Sequence, residues 1–320
     1  KGCYNIANLF GDEIMWILMT LLALALITVL ISYICFRMAF YNPPRRDTES
    51  FEAVLPPNET YAPYREQMRD LTIETRSFPY EPAQIKSFDG LTLLGKYYEY
   101  DPAAPMEIMF PGYRGLAERD LCGGVQRAFA VGHNVLLVDQ RACGKCDGNI
   151  ITFGIYERLD CMKWIDYAIS RFGPDVKIVL SGVSMGSATV TMAAGMELPE
   201  NVIGVVADSG YTSPKDIICK VISDMHLPPK LAWPFVKLGA KLFGHFDIEA
   251  ASSMEAVKHA KVPIFFSHGE ADDFVPCDMT KKLYEACASK KSIALIPGAG
   301  HGLCYLVQPE EYVAAIKKAF

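Results

Sequence analysis

Ser184 stands between two glycines at the end of an apolar run. Residues 177–182 predict a strand, the sequence Gly182-Val-Ser-Met-Gly186 follows, and a helical pattern comes next. The two glycines leave room for a sharp turn that exposes the serine hydroxyl, and the N-terminus of the helix favours developing negative charge. The pattern predicts a nucleophilic serine. The alternative is a tight turn in which the serine has no role.

A serine hydroxyl reacts poorly near neutral pH, so it needs a base and a third group that holds the base. Asp272 comes just after an apolar run, and His301 lies on a glycine-rich segment after the next such run. We predict His301 as the general base and Asp272 as the acid that orients it. Asp273 and Glu270 are neighbouring acids that could take this role instead. His268 is expected only to satisfy a local hydrogen bond.

The oxyanion formed during acyl transfer needs backbone N–H groups that point towards it. We expect one from Met185, the residue after the nucleophile. The second should come from the loop in the segment Ile-Met-Phe-Pro-Gly-Tyr-Arg-Gly at residues 108–115, and we predict Tyr113. Pro111 has no N–H group and cannot donate.

A sheet is needed to bring these residues to one edge. Short apolar runs, with helix-length patterns between several of them, predict a mainly parallel sheet with helices on both faces, an α/β fold. The predicted strands are residues 107–110, 134–139, 177–182, 202–207, 263–267 and 292–296. An Asp89-Gly90 pair within an alternating segment predicts a β-hairpin before them.

Residues 211–262 interrupt this alternation and are too many for an ordinary connection, so we predict a helical cap insertion. In one predicted helix of the cap, Leu231, Phe235, Leu238 and Leu242 share a stripe. We interpret the stripe as core packing. The alternative is a surface for substrate or membrane.

Residues 14–36 are almost wholly apolar and contain neither a charge nor a proline. At about 1.5 Å per residue, this run exceeds the roughly 30 Å of hydrocarbon in a bilayer. It predicts a single transmembrane helix within an anchor of residues 1–40. A cleaved signal peptide would have a shorter apolar stretch and a small-residue cleavage site.

Basic residues flank this span unevenly. Arg37, Arg45 and Arg46 follow it, whereas Lys1 and an acidic pair precede it. The positive-inside rule therefore predicts the bulk of the chain on the cytoplasmic side of the membrane. Residues 41–81 are predicted as a linker and N-terminal arm, with a helix near residues 64–72.

The composition excludes one class of function. Of 320 residues 51% are hydrophobic, the formal net charge is −6, and no run of Lys or Arg occurs. Nucleic-acid binding needs a concentrated basic surface, so we predict no such partner. The ten cysteines are scattered, and we expect small buried residues with reduced thiols. Cys143 and Cys146 have the spacing of a redox or metal pair, but no second pair completes a zinc site.

Four motifs together resemble those of the α/β-hydrolase superfamily, in particular its bacterial esterase, lipase and prolyl-oligopeptidase-like branch. They are Phe-Pro-Gly-Tyr-Arg-Gly at 110–115, Asp-Gln-Arg-Ala-Cys-Gly at 139–144, the glycine-flanked Ser184, and the Asp272/His301 pair. The resemblance covers residues 82–320. Family members usually carry His at the position of Pro111, and His and Ser at those of Cys143 and Cys146.

The resemblance implies acyl transfer to Ser184, proton transfer by His301 to the leaving group, and deacylation by water, without a metal or organic cofactor. Peptidases of this branch usually carry a β-propeller that this chain lacks, so a hydrophobic carboxylic ester is the expected substrate. Two alternatives remain open. One is an acyltransferase or peptidase with the same triad, and the other is a catalytically silent, membrane-tethered binding module. The sequence does not indicate an oligomeric state.

Overall fold

The computed structural model describes residues 3–44, 48–51, 55–56 and 59–320, without the side chains of residues 3–12. The chain divides into two compact units. The first contains the N-terminal residues through Tyr41 together with Cys219–Asp247. The second contains Asn42–Ile218 and Ile248–Phe320. The domain limits predicted at residues 40 and 81, and the cap limits, stay predictions.

An eight-stranded sheet runs through the second unit. Its strands are β1 (Glu81–Lys86), β2 (Thr92–Tyr98), β3 (Met106–Phe110), β4 (Asn134–Val138), β5 (Ile178–Val183), β6 (Val202–Asp208), β7 (Ile264–Gly269) and β8 (Lys291–Ile296). Their order is β1-β2-β4-β3-β5-β6-β7-β8. β1 and β2 pair antiparallel, as do β2 and β4, and the other neighbours are parallel. The prediction of a mainly parallel sheet is confirmed.

Helices connect most of the strands. They are α1 (Cys3–Ala39), α2 (Arg65–Ser77), α3 (Ala117–Asp120), α4 (Gly124–Val131), α5 (Glu157–Phe172), α6 (Met185–Ala194), α7 (Pro214–Asp224), α8 (Pro229–Phe243), α9 (Ser253–Val257), α10 (Cys277–Ala286), α11 (Cys304–Val307) and α12 (Pro309–Ala319), and a 3-10 helix spans Glu59–Tyr64. Because side chains alternate along a strand, each strand supplies two cores. Leu180 of β5 joins the core that contains Trp164 of α5, whereas Val179 joins the core that contains Ile316 of α12.

The parallel pairing aligns the carboxyl ends of the central strands. Phe110 lies opposite Gly182, Val183 opposite Asp208, and Asp208 opposite Ser267. The loops after β3, β5, β6 and β7 therefore meet at one edge of the sheet. In open α/β sheets this is the edge at which ligands bind.

The predicted hairpin and arm helix both form in the second unit. Gly90 adopts a φ of 91° in the turn between β1 and β2, a conformation that costs glycine little. The arm helix α2 is longer than its predicted range of 64–72 because it packs on the domain. Met68 is 3% exposed, and the Gln126 amide donates to the carbonyl of Leu71 at 3.0 Å.

The first unit consists of α1, α8 and the adjoining chain. Glu13–Ala39 has a mean hydropathy of 2.8 and is long and apolar enough to cross a membrane, a property that a signal sequence near the N-terminus shares. Lys1, Arg45 and Arg46, which entered the prediction of orientation, lie outside the described residues. The interpretation of the α8 stripe as core packing is wrong for Leu231 and Leu242, which are 70% and 43% exposed, whereas Phe235 and Leu238 are partly buried.

Candidate active site

Ser184 occupies a strained turn between β5 and α6. Its φ of 57° is rare for a residue with a side chain, and its amide donates to the carbonyl of Asp208 at 2.9 Å. A Cβ at Gly186 would lie 2.0 Å from the Phe110 carbonyl oxygen, and one at Gly182 would lie 2.2 Å from the Gly186 carbonyl carbon. Neither glycine can therefore carry a side chain. The turn predicted around the serine therefore requires glycine at both positions.

Asp272 and His301 form a hydrogen bond at the same edge of the sheet. His301 Nδ1 lies 2.7 Å from Asp272 Oδ2. Burial alone would raise the pKa of Asp272, but hydrogen bonds from His268 and His301 outweigh it and hold that pKa well below its usual range. Because an ionised carboxylate only accepts hydrogen bonds, Nδ1 carries the proton and Nε2 remains available as a base.

A second histidine binds the same carboxylate. His268 is fully buried, and its Nε2 lies 3.0 Å from Asp272 Oδ2 and 2.9 Å from the Val275 carbonyl oxygen. Both of these partners only accept, so Nε2 of His268 carries a proton. Its Nδ1 lies 2.7 Å from the Thr280 hydroxyl. The expected local hydrogen bonds thus form with Val275 and Thr280, and the ring also contacts the candidate catalytic acid, a contact that sequence reasoning missed.

Two contacts bring the His301 loop to the turn that holds Ser184. The amide of Gly302 donates to the Ser209 hydroxyl at 3.3 Å, and Ser209 directly follows the residue that accepts from the Ser184 amide. A Cβ at Gly302 would lie 3.2 Å from the Val183 side chain. Among the described hydrogen bonds none joins the Ser184 hydroxyl to His301. In enzymes without substrate this bond is often long and shortens only when substrate binds.

The loop after β3 lies beside Ser184. A Cβ at Gly112 would lie 3.8 Å from Ser184 Oγ, and the Gly112 amide donates to Asp120 Oδ2 at 2.9 Å. The Gln140 amide donates to the Pro111 carbonyl oxygen at 2.6 Å. These bonds hold both polar groups of the peptide between Pro111 and Gly112. Asp120 gave no signal in the sequence, because only the fold brings its carboxylate back to Gly112.

Of the two predicted oxyanion donors, Tyr113 lies in this loop and Met185 directly follows the nucleophile. Met185 is the first residue of α6, so its amide has no acceptor within the helix. Tyr113 follows Gly112 in the loop, and its ring lies 5.0 Å from the ring of Phe153. Phe153 and Tyr211 are connected by a hydrogen bond from the tyrosine hydroxyl to the Phe153 carbonyl at 3.1 Å. Aromatic side chains therefore lie beside the loop that carries Tyr113.

The N-terminal arm also contacts the candidate site. The hydroxyl of Tyr61, in the 3-10 helix, donates to the carbonyl of His301 at 3.1 Å. A Cβ at Gly300 would lie 3.0 Å from the Thr60 side chain. The arm predicted as a separate segment thus supports the loop that carries the histidine.

Cys143 and Cys146 are free thiols. Burial raises the pKa of both, which opposes the thiolate that redox chemistry and metal binding require. Cys146 Sγ accepts from the Leu94 amide at 3.2 Å. Within the described ranges no group of three or more His, Cys, Asp or Glu residues is arranged to hold a metal ion.

A cavity of about 680 Å³ lies elsewhere in the second unit. Lys96 and Glu118 line it and form a salt bridge, and Asp139 borders it. Burial raises the pKa of Asp139 to about 6. None of the three candidate triad residues lines this cavity.

Family comparison matches two parts of the chain. The α/β-hydrolase fold family matches residues 108–237, and the dienelactone hydrolase family matches residues 231–319. With the strand order and the serine turn described above, these two partial matches support a class, the α/β-hydrolase superfamily, and with it a hydrolase activity.

Individual relatives are distant. YqkD of Bacillus subtilis, an uncharacterized protein, is 23% identical over 192 residues, which cover 59% of this chain and 62% of the relative. The chain therefore matches about three-fifths of that relative's length. The protein bem46 of Schizosaccharomyces pombe is 26% identical over 230 residues, or 69% of this chain and 71% of the relative.

Among solved structures, the Pyrococcus furiosus esterase Pf2001 has a TM-score of 0.60 and 23% identity, and covers 87% of this chain and 96% of its own. The structure of Est1E from Butyrivibrio proteoclasticus with bound ferulic acid has a TM-score of 0.56 and 19% identity, and covers 74% and 96%. At these identities the likeness concerns the fold.

Proposed function

We propose that this protein is a serine hydrolase that cleaves a carboxylic ester of a hydrophobic compound through an acyl-enzyme on Ser184. The observation that carries the proposal is the coincidence of a strained serine at a strand-to-helix turn with the 2.7 Å Asp272–His301 hydrogen bond at the same sheet edge. Esterases among the structural neighbours support the same chemistry.

In the proposed reaction, His301 Nε2 takes the Ser184 proton while Oγ attacks the ester carbonyl carbon. The resulting oxyanion accepts hydrogen bonds from the amides of Tyr113 and Met185. His301 then gives its proton to the leaving alcohol as the carbon–oxygen bond breaks. Water, activated by the same nitrogen, attacks the acyl-enzyme, and the carboxylic acid leaves with the serine regenerated.

Two features favour a hydrophobic substrate. The rings of Tyr113 and Phe153 lie beside the oxyanion loop, and the ring of Phe274 contacts that of His301 at 5.2 Å. Residues 211–262 are proposed as the cap that selects the acyl or alcohol part, and α1 as a retained, single-pass membrane anchor. The acyltransferase alternative uses the same acyl-enzyme, and product analysis with competing alcohols distinguishes it.

The test uses the full chain in detergent micelles, with p-nitrophenyl esters of short and medium acyl chains and with a fluorophosphonate probe. We expect hydrolysis and a covalent adduct on Ser184, both absent in Ser184→Ala. Ser223→Ala, at an exposed position on α7, should leave both unchanged. If the unsubstituted chain shows neither hydrolysis nor labelling, the enzyme proposal fails and the silent binding module is favoured.

A further inference from the structure

Helix α8 has three chemically different sectors. Trp233, Val236, Gly239 and Ala240 are buried on one. At about 100° per residue, the stripe of Leu231, Phe235, Leu238 and Leu242 lies roughly a third of a turn away, and three lysines form the remaining sector. The lysines are Lys230, Lys237 and Lys241, and α8 contains no acidic residue.

The buried sector packs on the last turns of α1, within the first unit. A Cβ at Gly239 would lie 2.3 Å from the Ser32 carbonyl oxygen, so only glycine permits this approach. The ring of Phe243 lies 5.1 Å from that of Tyr33 and 5.8 Å from that of Phe36. Ser32 is fully buried. Helix α8 is therefore fixed to α1 at the end of the apolar run, just before Arg37.

The two ends of the apolar stripe of α8 are exposed, and Phe235 and Leu238 between them are partly buried. Leu231 is 70% exposed and Leu242 is 43% exposed, and Leu22 and Leu26 on α1 are each 61% exposed. Two exposed apolar surfaces thus belong to one compact unit. At about 1.5 Å per residue, the 15 residues of α8 extend about 22 Å, too short to cross a bilayer.

We propose that α8 is an interfacial membrane helix, with the stripe Leu231/Phe235/Leu238/Leu242 among the acyl chains of the leaflet at the Arg37 end of α1. The inference rests on the proposed anchor, because a bilayer around α1 reaches the level of Ser32 to Phe36, where α8 is attached. An amphipathic helix of this length, with an apolar stripe and lysines beside it, suits a leaflet that contains anionic phospholipid. The membrane contact of this protein then extends beyond the span to the middle of the predicted cap.

The test reconstitutes the full chain into vesicles of phosphatidylcholine and phosphatidylglycerol that contain a phosphatidylcholine with a diazirine on its acyl chain. After irradiation, trypsin cleaves at the lysines of α8 and releases residues 231–237. We expect lipid adducts on this peptide and on the α1 peptide. The peptide of residues 283–290, which begins in α10, should carry none. A water-soluble diazirine applied to the same vesicles should label residues 283–290.

Variants connect the label to the stripe. Leu231→Asp with Leu242→Asp should lower adducts on α8 at least about fivefold and leave α1 labelled, since charged side chains are costly among acyl chains. Ile73→Asp, at an exposed apolar position on α2, is the matched control and should change neither.

The outcomes separate the two proposals. Labelling of α1 with no more label on residues 231–237 than on residues 283–290 overturns the interfacial helix and leaves the anchor intact. Absence of label on α1 removes the anchor, and the interfacial helix with it. Ester hydrolysis by the same vesicles is measured independently. Its absence would count against the proposed enzyme activity and not against the interfacial helix.

Discussion

At the scale of single residues, the Asp272 carboxylate has donors against both of its oxygens. His301 Nδ1 and His268 Nε2 lie 2.7 and 3.0 Å from Oδ2. Oδ1 accepts hydrogen bonds from the amides of Phe274 and Val275 at 3.0 and 2.8 Å. Four donors hold the carboxylate ionised and fix both of its oxygens. A triad acid needs this state, because it has to orient the imidazole and stabilise its charged form.

The choice among the three neighbouring acids is directly testable. Asp272→Asn should lower kcat for ester hydrolysis by about 10⁴-fold, because an amide in this position favours the wrong histidine tautomer. Asp273→Asn and Glu270→Gln are the matched controls, and each should change kcat less than about threefold, because the His301 hydrogen bond goes to Asp272. Steady-state kinetics of the three variants decides the assignment. A large loss in either control with an active Asp272→Asn would contradict it.

His268 should act on catalysis through Asp272. Removal of a hydrogen bond to a charged group costs about 1.5–3 kcal/mol, so His268→Leu should lower kcat by about tenfold or more with little change in KM. His268→Gln keeps an amide donor and should lose less. His259→Gln, at an exposed position, serves as the control. Equal activity of the Leu and Gln variants would show that the hydrogen bond to Asp272 does not matter.

At the scale of elements, the loops after β3, β4, β5 and β6 share strained backbone. The positive-φ residues Arg114, Ala142, Ser184 and Ser209 each lie within a few residues of the end of one of these strands. Such strain costs on the order of 1–3 kcal/mol per residue, and the surrounding structure has to sustain it. The strands and helices that carry these loops therefore have to be rigid.

One contribution to this rigidity is a buried ion pair between β3 and α4. Glu107 is fully buried and binds Arg127, and His133 Nδ1 lies 3.2 Å from its carboxylate. Burial would raise the pKa of Glu107, but the charge of Arg127 and the His133 hydrogen bond outweigh it and lower this pKa to about 2. The pair connects the strand before the oxyanion loop to α4, the second helix after that loop.

Replacement of this glutamate should show a defined pH dependence. Glu107→Gln leaves the Arg127 charge buried without its partner and should lower the free energy of unfolding by about 3–5 kcal/mol near neutral pH. The folded pKa lies below the unfolded value of about 4.3, so this stabilisation is present above pH ~4.3 and is lost as pH falls towards 2. Urea titrations of both proteins in micelles, followed by tryptophan fluorescence, should converge at low pH. A difference that stays constant from pH 7 to 3 would contradict the assignment.

At the scale of the whole molecule, the proposed anchor and the side of the membrane on which the domain lies are tested separately. Resistance to alkaline carbonate extraction tests the anchor. The positive-inside prediction is tested by protease added to intact bacterial cells and to inverted membrane vesicles. We expect the domain that contains the sheet to be protected in cells and degraded in inverted vesicles. Degradation in intact cells would place the domain on the opposite side.

The sequence predicts the sheet well because its buried parallel strands are almost continuous apolar runs. Residues 134–139 were predicted for β4 and residues 202–207 for β6, and each observed strand ends within one residue of its predicted end. The serine turn is also predictable from the local sequence, because the turn requires glycines on both sides of Ser184.

Contacts made only by the fold were not predictable. Three contacts depend on side-chain placement rather than on a pattern along the chain: the hydrogen bond from the Gly112 amide to Asp120, the contact of His268 with Asp272, and the hydrogen bond from Tyr61 to His301. The two ends of the α8 stripe were misinterpreted because a helical period marks an apolar face without indicating how much of it the protein covers.

The contact between Tyr61 and His301 has a practical consequence for work with shortened forms of the chain. A form that begins after Tyr64 would retain every strand and the candidate triad but would lose the hydroxyl that holds the carbonyl of His301. Weak activity in such a fragment would then reflect a poorly supported histidine loop rather than an unsuitable substrate. Screens for the natural ester should therefore use a polypeptide that retains the segment from Glu59 onwards.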